Sequence, residues 1–347
     1  MPLRSTLFGV VKNVTGQPLS DITVHLFRFE SGTWVWAGTQ FTQADGVYRF
    51  EKLHRGNYRV QFVENANRKL YGDEFYQDAY QFDKAPVISI SRSENADLGT
   101  TTLAGRGSIS GRVTNASGAA VANINVYALR YELKTNNEFK WEVVGSAQTN
   151  GLGRYQLPQL SPGAYHISFD DSNLRRFATE YYDNLPNLYV ANDVIVQPDS
   201  ETANINAQLG APARISGRVT NESNQPIANL AISTYIFVST TTYSGFTPLY
   251  YTLSNDQGQY QIDNLPTGRY HVVFADSAVA PSEYAMEAFD TAQTLIEGQD
   301  IELVGCQSKP NLNAVLVHSA QLSGVVTNAQ GDPLADIAVT IFRQSDT

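Results

Sequence analysis

Cysteine is almost missing from these 347 residues: Cys306 stands alone, so no disulfide framework and no thiolate metal cage is available. Methionine is nearly as scarce, with two residues, which leaves aromatic and aliphatic side chains to fill any core. Basic charge is also short. Against 34 Asp and Glu there are 24 Lys and Arg, a net charge of -10 that argues against a surface tracking phosphates and makes nucleic acid an unexpected partner. No run approaches the roughly 20 apolar residues that cross a bilayer, so no membrane insertion is expected within this segment. The first nine residues, MPLRSTLFG, lack the apolar stretch of a secretory signal. What the chain does carry is 19 Tyr, 16 Phe, 25 Gly and 14 Pro, strand and turn formers that favour an all-β fold. Its 42% hydrophobic content is enough to fill the cores of two or three domains.

A repeated phrase organises the sequence. SISGRVTNASG (Ser108 to Gly118) matches RISGRVTNESNQPI (Arg214 to Ile227), QLSGVVTNAQGDPL (Gln321 to Leu334) and, more loosely, FGVVKNVTGQPL (Phe8 to Leu19). Its glycine falls at Gly9, Gly111, Gly217 and Gly324, in steps of 102, 106 and 107 residues, so the repeat is domain-sized. A second block pairs Tyr48, Tyr155 and Tyr260, and then Tyr58, Tyr165 and Tyr270. Within it Tyr58, Val60 and Phe62 alternate with Asn57, Arg59 and Gln61, the period of a half-buried strand. The intervening Leu160-Ser-Pro-Gly163 and Leu265-Pro-Thr-Gly268 are turn chemistry, so hairpins are expected. About seven short strands per roughly 100 residues describe an immunoglobulin-like sandwich. Boundaries at 1–105, 106–210 and 211–319 give three complete units, with 320–347 opening a fourth. In that fourth unit Leu334 to Phe342 reads as a second strand, so the sequence is taken as a piece of a longer chain. Ser282 to Thr294 has helical character and is read as a crossover insertion in the third unit.

The order G-x-V-T, Asn/Gly turn, G-x-Y-x-(F/L/I)-x-x-L-x-x-G-x-Y-x-(V/I)-x-F resembles the carboxypeptidase regulatory-like domain, a transthyretin-like seven-stranded β-sandwich. It is similar, less closely, to the B-type repeats of bacterial surface adhesins. The resemblance covers essentially the whole chain and implies a tandem array of such sandwiches in an extracellular or cell-surface protein. The family's T-D-x-x-G-x-Y turn has Asp in its second position, where this chain has Gln43, Asn150 and Asn255; that departure weakens a calcium or side-chain capping role there. A Lys–Asn isopeptide crosslink of the adhesin kind would need Lys at one strand position in every unit, and Lys12 aligns with Thr114.

Candidate chemistry is sparse. None of His25, His54, His166, His271 and His318 has Glu three residues on or His four residues on, so zinc signatures are absent. His166 and His271 each follow the buried-pattern Tyr and are expected on the outer face as solvated strand residues. No G-x-S-x-G elbow occurs; Ser110 and Ser216 belong to a strand-start phrase. The acidic groups Asp73, Glu74 and Asp78, Asp170 and Asp171, and Glu180 and Asp183 do not follow calcium-loop spacing and read as solvated loops with tyrosines over the sandwich edge. The sequons at Asn13, Asn115 and Asn221 read as turn residues. No catalytic residue, cofactor or metal ligand is expected.

Aromatic hairpins are more suggestive. Eight residues before Thr42, Thr149 and Ser254 stand Trp34, Trp141 and Phe246, with Trp36, Phe139, Tyr243, Tyr250 and Tyr251 nearby. Exposed rings on a rigid β scaffold grip sugars and flat protein surfaces, although a ring at a fixed strand position is more often packing. Trp34, Trp36, Trp141 and Phe246 are therefore the candidate ligand-binding residues, and a polysaccharide or cell-surface protein the candidate partner. Joints as short as Leu103 to Ile109 and Leu209 to Ile215 predict a semi-rigid monomeric rod. The resulting reading is a non-enzymatic structural, spacer or adhesive segment. Two alternatives stand beside it: carbohydrate- or protein-binding modules, and accessory domains of a hydrolase or peptidase whose catalytic domain lies elsewhere.

Overall fold

The computed structural model describes residues 5–64, 70–133, 138–241, 243–276, 283–320 and 322–340. In the first unit the strands are β1 (Ser5–Asn13), β2 (Ile22–Glu30), β3 (Thr33–Phe41), β4 (Val47–Leu53), β5 (Gly56–Glu64), β6 (Glu74–Phe75), β7 (Ile88–Ile90) and β8 (Asn95–Leu103). One sheet has the order β4-β1-β8; the other runs β3-β2-β5, with β6 and β7 both pairing β5. Setting aside the two-residue β6, seven strands divide three against four, a β-sandwich. Alternation on β5 builds the core: Tyr58, Val60 and Phe62 are at most 1% exposed, and Arg59 and Gln61 stand on the other face.

The second unit repeats the plan with β9 (Gly107–Asn115), β10 (Asn125–Leu133), β11 (Phe139–Gln148), β12 (Arg154–Leu160), β13 (Gly163–Asp170), β14 (Glu180–Tyr181), β15 (Val194–Val196), β16 (Glu201–Thr202) and β17 (Ala207–Leu209). The third has β18 (Ala213–Asn221), β19 (Leu230–Ser239), β20 (Ser244–Leu253), β21 (Gln259–Leu265), β22 (Gly268–Asp276), β23 (Glu287–Ala288), β24 (Ile301–Leu303), β25 (Ser308–Lys309) and β26 (Ala314–Leu316). Here the last strand of each sandwich is broken into two short pieces. In every unit it runs parallel to the first strand. Entry and exit therefore lie at opposite ends of each sandwich.

Glu283 to Thr294 is not helical, contrary to expectation, and Ser282 lies outside the described residues. The stretch contains β23, whose Glu287 pairs with Phe274 as Glu74 pairs with Phe62 and Glu180 with Phe169. It is thus the third copy of a crossover present in every unit rather than an insertion. Pairing to the edge of β22 outweighs the local propensity that suggested a helix.

Recurrent residues have recurrent jobs. Tyr155 and Tyr260 donate their hydroxyls to the carbonyls of Ile205 and Leu312, both at 2.7 Å, pinning the last crossing of the chain over the first strand. That crossing passes so close that a Cβ on Gly111 would meet the Ile205 oxygen at 1.9 Å, and one on Gly217 the Leu312 oxygen at 2.1 Å; only glycine fits. The second tyrosine set closes the hairpin turn: Tyr58, Tyr165 and Tyr270 donate to carbonyls four residues earlier. Buried Thr42, Thr149 and Ser254 each accept a backbone N–H and donate to a carbonyl, joining the hairpin to the loop before the second strand. Asn13, Asn115 and Asn221 accept the N–H groups two and four residues on, which accounts for the sequons as turn chemistry.

Among the described residues the buried apolar side chains form three large clusters and one small one. Residues 322–340 form no strand; they keep the Asn328 turn and the isolated Thr327–Pro333 bridge, and Leu322, Val325 and Val339 are exposed. The strand reading of Leu334 to Phe342 therefore does not hold over its described part, and residues 341–347 lie outside it. The reason is pairing: β1, β9 and β18 each have strands on both sides, whereas Leu322 to Asn328 meets none among the described residues.

Gly111→Ala is expected to lower the unfolding free energy by about 1–3 kcal/mol through the clash with the Ile205 carbonyl. Gly151→Ala, where a Cβ meets nothing within 4 Å, should stay within about 0.5 kcal/mol of the parent. Urea unfolding of both checks this, and equal effects contradict it.

Candidate functional site

The three aromatic hairpins share one construction. Trp34, Trp141 and Phe246 sit on β3, β11 and β20, directly opposite Phe29, Tyr131 and Phe237 on the neighbouring strands. Ring centroids in these pairs are 5.3 to 5.4 Å apart. The partners escaped the reading of the sequence, yet each stands twenty residues after the repeat's glycine. Each hairpin ring also covers the residue that follows the buried tyrosine. Arg59 lies over Trp34 at 4.4 Å, His166 stacks on Trp141 at 4.0 Å and His271 on Phe246 at 3.8 Å.

His166 and His271 are consequently not solvated. They do occupy the outer face, but at 7% and 2% exposure, because the ring and the crossover close over them. His166 Nδ1 meets the Leu188 carbonyl at 2.9 Å and its Nε2 meets Asp193 at 3.2 Å. His271 makes the same pair of contacts, to the Leu295 carbonyl and, at 2.9 Å, to Asp300. The hydrogen bond from His271, with Arg269 adding its charge, holds the Asp300 carboxyl below its usual range.

The crossovers of the first and second units reach the unit that follows. Asp73 N–H donates to Ser161 Oγ at 3.0 Å, Arg106 donates to the same hydroxyl at 3.0 Å and pairs with Asp73 at 3.2 Å, and Arg130 donates to the Tyr80 carbonyl at 3.0 Å. Phe82 meets Phe139 edge to face at 5.2 Å. At the second joint Leu185 of the second unit is buried within the core of the third, and Asn187 donates to Thr247 Oγ1 and the Pro248 carbonyl.

Between the first two units these contacts leave a cleft of about 870 Å³. It is lined by Trp36, Tyr131, Phe139 and Trp141, with Phe27, Phe82, His25 and Arg130 beneath and beside them. Of the four predicted ligand-binding residues, the cleft unites Trp36 and Trp141. Trp34 packs beside it against Phe82, and Phe246 belongs to the third unit. A second cleft, about 490 Å³, lies between the second and third units. There Arg269 lies 3.9 Å over Phe237, and Phe237 is the ring among the lining residues. Tyr243 and Tyr251 are exposed, whereas Tyr250 packs against the third core.

The acidic groups divide differently from the expectation of solvated loops. Glu74 and Glu180 are 2% and 8% exposed, and one carboxyl oxygen of each has no hydrogen-bond partner. Burial, reinforced in Glu74 by Asp78, pushes both carboxyls up to about 8, and Glu287 is raised by burial too. Asp171 is also buried; it accepts the N–H groups of Arg176 and Phe177 and the Arg176 guanidinium, as Glu64 accepts the N–H groups of Leu70 and Tyr71. These two carboxylates fasten the start of the crossover. The side-chain cap judged weakened at the second turn is present: Asn150 and Asn255 each accept N–H groups two and four residues on. No group of three or more His, Cys, Asp and Glu among the described residues is arranged to hold a metal ion. Among the described residues no helix is long and apolar enough to cross a membrane.

Comparison with known proteins adds a family match. The sequence profile of the carboxypeptidase regulatory-like domain matches residues 108–209 and 214–303, two tandem copies. No curated protein matches the chain. Among solved structures, the Bacillus anthracis TIE protein is 13% identical with a TM-score of 0.24, over 90% of this chain and 50% of its own. A streptococcal ancillary pilin is 10% identical with a TM-score of 0.26, over 89% and 98%. The minor pilin of Streptococcus agalactiae is 11% identical with a TM-score of 0.29, over 63% and 99%. This chain spans half the length of the first.

Buried carboxyls with raised values make stability depend on pH in a defined sense. The folded chain keeps protons on Glu74 and Glu180 that the unfolded chain releases near 4.5, so their contribution is complete below that value and falls as pH rises towards about 8. The urea midpoint is expected to drop between pH 5 and about pH 8.5 and then level off. In a Glu74→Gln, Glu180→Gln double variant the drop should flatten; an unchanged slope contradicts the assignment.

Proposed function

We propose, from the premise that the chain belongs to the carboxypeptidase regulatory-like domain family, that it is a non-enzymatic structural segment, a stiff spacer of an extracellular or cell-surface protein. The observation that carries this reading is the parallel pairing of first and last strands in each unit. A nine-residue strand such as β1 spans about 30 Å, so each sandwich separates its entry from its exit by that length. Tandem copies then add end to end. The joints support stiffness, since hydrogen bonds, an ion pair and buried apolar groups cross them. Titratable groups that resemble catalytic equipment have packing roles: the two buried histidines lie between a ring, a carbonyl and an Asp, and the buried glutamates sit on the short crossover strands that pair with β5 and β13. The extracellular setting follows from the adhesin and regulatory-domain resemblance and is part of the proposal.

Small-angle X-ray scattering on the chain tests it. Three strand lengths with their joints make a particle about 100 Å long, with a radius of gyration near 30 Å. A single compact body of this size would give about 20 Å. A value near 30 Å that Asp73→Ala and Arg106→Ala make more variable supports the spacer; a value near 20 Å overturns it.

A further inference from the structure

We infer that the cleft between the first and second units is a binding site for a neutral oligosaccharide. Rings on both sides of the joint supply the platforms: Trp36 from the first unit, and Tyr131, Phe139 and Trp141 from the second. Trp36 is 42% exposed, Tyr131 53% and Phe139 38%, so their faces are open to the cleft. Aromatic faces take the C–H faces of sugar rings, and polar groups between them accept and donate to hydroxyls. His25, Gln61 and Tyr80 line the same space. The volume, about 870 Å³, suits a ligand of a few sugar residues, and a joint between domains is where such sites form.

Charge decides the class of ligand. Three cleft carboxylates are engaged: Asp73 pairs with Arg106, Asp83 with Lys84, and Asp193 meets the His166 ring, each at 3.2 Å. Arg130 and Glu132 add one charge of each sign. The lining holds Asp73, Asp83, Glu132 and Asp193 against Lys84 and Arg130, an acidic excess that disfavours an anionic partner; with three of those carboxylates already engaged by Arg106, Lys84 and His166, a hydroxyl-rich neutral ligand fits better than a cationic one. The other joint makes the contrast. Its cleft is smaller, and Arg269 lies over Phe237 there, so among the described residues the proposed site is confined to the first joint.

All three tryptophans of the chain lie in or beside this cleft, so their fluorescence reports on it directly. The full chain is titrated with millimolar neutral gluco-, xylo- and N-acetylglucosamine oligosaccharides, and with oligolysine and oligogalacturonate as charged probes. A saturable emission shift with at least one neutral series is expected. Affinity should fall about tenfold in Trp36→Ala and in Tyr131→Ala, exposed positions whose loss leaves the fold intact by circular dichroism. Tyr251→Ala, an exposed ring of the third unit, should bind as the parent does. The site is overturned if no neutral series shifts the emission, if a charged probe alone does so, or if both cleft variants bind unchanged.

Discussion

In each complete unit the chain leaves the sandwich after the fifth strand, and what fastens that departing segment decides how the array behaves. The start of the segment is held by a carboxylate that accepts backbone N–H groups, Glu64 in the first unit and Asp171 in the second. A two-residue strand then pairs it back to the sheet edge. On either side of that strand, in the first two units, it faces the following unit: Asp73 and Phe82 meet Ser161 and Phe139, and Leu185 enters the core of the third sandwich. Cohesion within a unit and contact between units are thus properties of the same stretch of chain.

That double duty explains the chemistry collected there. A buried Glu with an unpartnered oxygen in two units is a cost, tolerated because the neutral acid is easier to bury than the carboxylate. The stacked histidines look like active-site groups by residue type, but each ring nitrogen is engaged by the crossover. The outer sheet face, which a two-layer sandwich would leave to water, is in this way covered over much of β13 and β22.

Much of this was readable in the sequence because it is local or strictly repeated. The glycine, the two tyrosines, the hairpin turns and the Asn turns each recur at a fixed offset, and each has a contact within one hairpin or between neighbouring strands. The aromatic triplet of Trp34, Trp141 and Phe246 was legible for the same reason. What escaped depends on distant chain. Period-two alternation put His166 and His271 on the correct face but carried no information about the residues some twenty to thirty positions on that cover them. The same limit applies to Glu74 and Glu180, acidic residues in tyrosine-rich loops whose burial follows from pairing with β5 and β13. The cleft holding Trp36 and Trp141 needs two units at once, so no single repeat foreshadows it. The helical reading of Glu283 to Thr294 failed because a two-residue strand has too little pattern to compete with local propensity.

Neighbouring sandwiches are coupled through the crossovers. Hydrogen exchange of the full chain carrying Leu185→Ala is the direct test, since Leu185 belongs by sequence to the second unit and by packing to the third. Faster exchange in β19 and β22, with β10 and β9 unchanged, is the predicted result. Faster exchange confined to the strands of the second unit would contradict it.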